Sequence, residues 1–83
     1  MLGYMVIEVR LYAGLKKYAP SSSSGILAVD VSESILVEEL LEELEIAASE
    51  VGSIKINGNA GNGRQTLQDG DRVDLLPASG LIS

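Results

Sequence analysis

The 83-residue sequence contains no cysteine and no histidine. Their absence excludes disulfides, thiolate nucleophiles, the usual zinc sites and the common histidine general base. A chain without cysteine also fits a reducing compartment. Phenylalanine and tryptophan are missing too, and three tyrosines are the only aromatics. The core must therefore be aliphatic, built from Leu, Ile, Val and Ala. Basic residues are few: six against twelve acidic, for a net charge of -6. A chain this acidic, with no basic stripe, is a poor match for the phosphates of nucleic acid. No apolar run approaches the ~18 residues of a membrane span. Met1-Leu2-Gly3-Tyr4-Met5 lacks the basic patch and long apolar core of a signal peptide. The expectation is a cytoplasmic protein that binds neither nucleic acid nor membrane.

What is present reads as one small domain. Residues 5–12 alternate, with Met5, Ile7, Val9 and Leu11 on one side and Val6, Glu8, Arg10 and Tyr12 on the other. A period of two with one apolar face predicts a half-buried strand. Leu15-Lys16-Lys17-Tyr18-Ala19 predicts a short helical turn, stopped by Pro20. Ser21-Ser22-Ser23-Ser24-Gly25 is a loop. Residues 26–31 predict a second strand, with Leu27, Val29 and Val31 inward, antiparallel to the first. Val37, Leu40, Leu41 and Leu44 form one helical stripe, predicting a helix over 36–45. Glu38 and Glu39 suit its first turn, and Ser32 or Ser34 is the expected cap. Ile54 and Ile56 predict a third strand, ending at the turn signal Asn57-Gly58. Thr66-Leu67 is a short extended piece and Asp69-Gly70 another turn. A last strand covers 72–76, with Val73 and Leu75 inward, closed by Pro77.

One helix stripe and several one-faced strands pack most economically as a helix across one face of a mixed sheet. The fold expected is α+β: a β-grasp, or ubiquitin-like, domain over 1–77. Its mixed sheet has four or five strands with one main helix on one face, and a flexible tail follows at 78–83. Glu8, Arg10, Asp30, Lys55, Arg72 and Asp74 are expected on the wet face. Leu76, with Ala28 or Ile26, offers an apolar spot there.

Three features invite a chemical reading. Gly58-Asn59-Ala60-Gly61-Asn62-Gly63 looks like a phosphate-cradling loop, but no helix follows it and the Lys-Ser/Thr pair is missing. A hairpin loop that needs positive φ explains its glycines. The glutamates at 38, 39, 42, 43 and 45 surround an exposed helix and do not converge as a cation requires. No nucleophile–base pair can be assembled, so the chain is not expected to be an enzyme, and no catalytic residue, metal site or bound cofactor is assigned.

The pattern resembles the small sulfur-carrier proteins: the small subunit of molybdopterin synthase, the thiamine-pathway sulfur carrier and their ubiquitin-like relatives. Val9-Arg10-Leu11-Tyr12-Ala13 with Leu15-Lys16 resembles the family's first strand and turn. Val31-Ser32-Glu33-Ser34 through Val37–Leu44 resembles its acidic turn and helix. Ile54-Lys55-Ile56-Asn57-Gly58 is similar to its strand end, and Leu67-Gln68-Asp69-Gly70-Asp71-Arg72-Val73-Asp74-Leu75-Leu76-Pro77 to its most specific closing segment. The resemblance implies a carrier acting with partner enzymes. A ubiquitin-activating-like enzyme would use ATP to adenylate the C-terminal carboxylate. A sulfur donor would convert it to a thiocarboxylate, and a synthase subunit would accept the sulfur for molybdopterin, tungstopterin or thiamine synthesis.

The family's tail ends in two glycines. This sequence instead has Ala78-Ser79-Gly80-Leu81-Ile82-Ser83, so the carrier tail is expected at Ser79, Gly80 and Leu81. Three explanations stand open: a protease removes Leu81-Ile82-Ser83, the partner accepts a different tail, or sulfur transfer has been lost and binding kept. Partner contact is expected at Arg10, Arg72, Leu76 and Pro77. The rival reading is a non-catalytic ubiquitin-like interaction module.

Overall fold

The computed structural model describes residues 3–19 and 24–78. Strand β1 (Tyr4–Leu11) is followed by a 3₁₀ helix at Ala13–Tyr18. Then come β2 (Ile26–Ser32), helix α1 (Val37–Glu43), a 3₁₀ turn at Ala48–Glu50, β3 (Val51–Ile56), β4 (Asn59–Ala60) and β5 (Arg72–Pro77). The sheet runs in the order β2-β1-β5-β3-β4. The first and last long strands, β1 and β5, are parallel; the other pairs are antiparallel. This is the expected β-grasp.

The alternation read from the sequence sets the register. Met5, Ile7, Val9 and Leu11 of β1 are buried, and Val73 and Leu75 of β5 join them. Val37, Leu40 and Leu41 bury the helix stripe, with Leu44 packed partly against the same core. Leu15 and Leu67 are buried in the same core. Burying each such aliphatic side chain contributes about 1.5–3 kcal/mol. One compact aliphatic core results, without an aromatic in its fully buried part.

The helix start differs from expectation. Neither Ser32 nor Ser34 caps it; the N-cap position is Leu36, and Ser34 takes a positive φ of 65° in the preceding turn. The first helical N–H groups instead donate to backbone carbonyls of the 63–65 loop: Val37 to Gln65 at 3.0 Å and Glu38 to Gly63 at 2.8 Å. Glu39 Oε1 accepts from the Leu36 N–H at 2.9 Å. These bonds satisfy donors that a serine would otherwise serve. The glycine-rich segment therefore holds the helix in place. Asn57 (φ 54°) and Gly58 (φ 87°) form the tight turn between β3 and β4, so a strand, not a helix N-terminus, follows them. Among the described residues no helix is long and apolar enough to cross a membrane.

Candidate functional site

β5 is the central strand, and its chemistry is set by its neighbours. Glu8 lies opposite Arg72 and Arg10 opposite Asp74 across the β1–β5 pair; Lys55 lies opposite Asp74 from β3. The open face thus carries a checkerboard of charge over three strands. Arg10 Nε donates to Glu8 Oε2. That bond, with the charge of Asp74 in support, holds the Arg10 guanidinium above its already high pKa. Arg72 Nε sits 3.6 Å from Asp74 Oδ1.

Asp74 departs from the wet-face expectation: it is only 7% exposed. Strand alternation does put it on the open face. However, β5 has neighbours on both sides, and the long side chains beside it cover it. Arg72 Nε and Asp74 Oδ1 are both out of solvent and, among the described residues, have no hydrogen-bond partner, each other included. The other expected wet residues, Glu8, Arg10, Asp30, Lys55 and Arg72, are half-buried or exposed.

Of the residues expected to contact partners, the structure brings Arg10 and Arg72 together on the open face. Leu76 and Pro77 lie at the end of the same strand, half-buried beside Ser53 and Val51. Ile26 and Ala28 are on β2, beyond β1, so they do not join Leu76 in one apolar spot. Instead Ile26 and Ala28 line a shallow depression with Val6 and Gly70. Ser79, Gly80 and Leu81 lie outside the described residues.

Beyond Pro77 the chain is seated by residues that the sequence reading did not single out. The Ala78 N–H donates to the Glu50 carbonyl at 2.8 Å. The β3–β5 register shifts between Val51 and Ser53, and Gly52 sits at that irregularity. A β-carbon at Gly52 would stand 2.6 Å from Ala78 Cα and 2.7 Å from the Pro77 oxygen. Gly52 is therefore what lets the end of β5 lie so close. A glycine inside an alternating strand is the usual mark of a bulge or a close backbone approach, and that signal was available in the sequence.

The Glu50 side chain braces the same corner. Tyr18 donates its phenol to Glu50 Oε2 at 2.8 Å, and Lys17 Nζ lies 3.0 Å from Oε1. These two partners hold the Glu50 carboxyl below its ordinary pKa, Tyr18 contributing most. The same contacts raise Tyr18 and Lys17. Lys17 Nζ also sits 5.4 Å from the Tyr18 ring centre, within cation–π range. The short helical turn after β1 thus supports the place where the C-terminal segment leaves the sheet.

The Mut7-C ubiquitin family model matches residues 4–82. The chain belongs to that family. Known structures share its fold. The HVO 2177 protein of Haloferax volcanii superposes with a TM-score of 0.76 at 20% identity, over 92% of this chain and 85% of its own. A putative molybdopterin converting factor, subunit 1, from Pyrococcus furiosus gives 0.70 at 21% identity, covering 88% and 97%. Small archaeal modifier protein 1 of Methanosarcina acetivorans gives 0.67 at 20%, covering 93% and 96%. No curated protein sequence matches the chain. The same fold is thus found in proteins named as a putative molybdopterin converting factor subunit and as a small archaeal modifier protein. Within the described part, no group of three or more metal-ligating side chains converges.

Proposed function

We propose that this Mut7-C ubiquitin-family domain is a sulfur-carrier-like protein that works in the cytoplasm through its C-terminal segment. The observation that carries the reading is the seat of that segment. β5 is gripped on both sides in the middle of the sheet, and the chain leaves it at Ala78 beside Glu50 and Gly52. The domain then serves as a handle, and the chemistry falls on residues beyond it. After cleavage following Gly80, an activating enzyme adenylates the new carboxylate with ATP and releases pyrophosphate, and sulfide-level sulfur from a donor then displaces AMP to leave a thiocarboxylate. A synthase subunit accepts the sulfur for a molybdopterin, tungstopterin or thiamine precursor. The Pyrococcus furiosus neighbour's name supports the first of these pathways. Arg10 and Arg72 on the open face, with Leu76 and Pro77 at the strand end, serve as contacts for the activating enzyme.

Intact mass spectrometry of the protein from its native cells tests the proposal. The expected species ends at Gly80 and has one terminal oxygen replaced by sulfur. Only chains that continue past Gly80, with no thiocarboxylate, would overturn it.

A second reading, a pure interaction module, draws on the partly enclosed charges around Asp74, which a docked surface would cover further. Deleting residues 81–83 separates the two. A pure module keeps its partner affinity unchanged, whereas a processed carrier bypasses its protease and gains thiocarboxylate.

A further inference from the structure

Among the described residues, the sheet order leaves β2 with a neighbour on one side only. Its pairing with β1 runs without a bulge from Tyr4↔Ser32 to Arg10↔Ile26. At the two ends of this ladder, Leu11 N–H donates to the Gly25 carbonyl at 2.8 Å and Glu33 N–H to the Gly3 carbonyl at 3.1 Å. The odd-numbered residues from 25 to 33 therefore form the hydrogen-bonded pairs. Bonded and non-bonded pairs alternate in an antiparallel ladder. The N–H and C=O groups of Ala28, Asp30 and Ser32 therefore point away from β1, and no described strand meets them.

Natural sheets blunt such an edge with lysine, proline, a bulge or a very short strand. β2 has seven residues, with no lysine and no proline, and Asp30 is its only charge. Leu27 and Val29 are only partly covered on the helix side, so an added strand has apolar surface to bury.

Charge selects the occupant. At the end of β2, Ser32, Glu33, Ser34 and Ile35 share a shallow depression with Glu39, Glu42 and Glu43 of α1, with no basic residue in its lining. A second copy of the chain would bring the same acidic groups and the same net charge of -6. Self-pairing is therefore opposed, and a basic strand is favoured. We infer that the β2 edge is a docking site for an extended segment of a partner protein in which apolar and basic residues alternate. The segment adds to the sheet as a further strand. Its apolar side chains cover Leu27 and Val29, its basic ones lie beside Asp30, and one more reaches the glutamates at the strand's end. Main-chain hydrogen bonds supply affinity, and the alternation supplies specificity. The site lies across β1 from β5, so it does not rest on the carrier reading.

Two synthetic peptides of equal length test this on the full chain: one alternates lysine with valine, the other glutamate with valine. Amide exchange and chemical shifts are followed by NMR. The lysine peptide is expected to protect the Ala28, Asp30 and Ser32 amides. Those of Leu27 and Val29, already bonded to β1, should change little. The glutamate peptide should not bind, and Asp30→Lys should weaken the lysine peptide by about fivefold. Equal binding of both peptides, shifts confined to the helix glutamates, or no protection at the β2 amides would overturn the inference. So would concentration-dependent protection of those amides without any peptide, which would make a second copy the occupant. Should Asp30→Lys fail to fold, the comparison of the two peptides on the native chain still decides.

Discussion

Replacing Gly52 with alanine sets two opposing effects against each other at the root of the C-terminal segment. Gly52 does not adopt a left-handed φ, so alanine fits its backbone. At such a site Gly→Ala ordinarily stabilises by about 0.4–1 kcal/mol, through the unfolded chain. Here the new β-carbon would stand 2.6 Å from Ala78 Cα, 2.7 Å from the Pro77 oxygen and 3.0 Å from the Ala78 nitrogen. All three are backbone atoms, so no side chain can swing aside. The end of β5 must move, which breaks the 2.8 Å bond from Ala78 N–H to the Glu50 carbonyl. That bond alone contributes about 1 kcal/mol, and overpacking adds about 1–3 kcal/mol. The clash wins, with a net loss of about 1–3.5 kcal/mol, or a melting temperature lower by roughly 4–28 °C in a domain of this size. Circular dichroism reads the melt, and amide exchange reads whether Ala78 stays protected. Gly14 is the control: no atom lies within 4 Å of its β-position, so Gly14→Ala should stay within about 0.5 kcal/mol of wild type. A Gly52→Ala protein that melts at or above wild type, with Ala78 still protected, would refute the reasoning.

Asp74→Asn should cost about 1 kcal/mol in urea unfolding, because Arg10, Arg72 and Lys55 then face one another without the enclosed carboxylate. The figure is held low because Arg72 remains partly in water. A variant as stable as wild type would mean that the cluster's desolvation already offsets its attraction. Glu50 has a depressed pKa, so its contribution is present above the ordinary carboxylate value of 4.5 and is lost as pH falls through the lower folded value. Tyr18 and Lys17 are raised, so their contributions are present below their ordinary values of 10.0 and 10.5 and fade as pH climbs through the folded ones. By carboxyl NMR, Glu50 should titrate below 4.5 in wild type and move upward in Tyr18→Phe, which removes its principal partner. An unmoved titration would show that Lys17 alone sets it.

Most of the fold could be read from residue spacing. The period-two runs in β1, β2 and β5 fixed which side chains go inward, and the stripe Val37, Leu40, Leu41 identified α1. Asn57-Gly58 and Asp69-Gly70 marked turns because their backbone geometry demands such residues. Strand order was less accessible, because alternation tells which face a residue occupies but not how many neighbours its strand has. For this reason Asp74, placed in water by its face, is enclosed by its position. The helix cap was missed for a related cause: serine is a local signal, whereas the carbonyls of Gly63 and Gln65 arrive from far along the chain. Among site residues, Arg10 and Arg72 were each expected on the open face, and alternation places them there. The corner of Tyr18, Lys17, Glu50 and Gly52 joins segments more than thirty positions apart and shows no shared pattern in sequence.

The placement of β5 between β1 and β3 also has a mechanical consequence. Under the proposed carrier role, an enzyme drawing on the polypeptide after Ala78 would pull along the strand axis, against ladders on both flanks. The load is shared by many bonds in shear, and none can be peeled open singly from a free edge. The body of the protein should therefore keep its shape while its end is being worked upon.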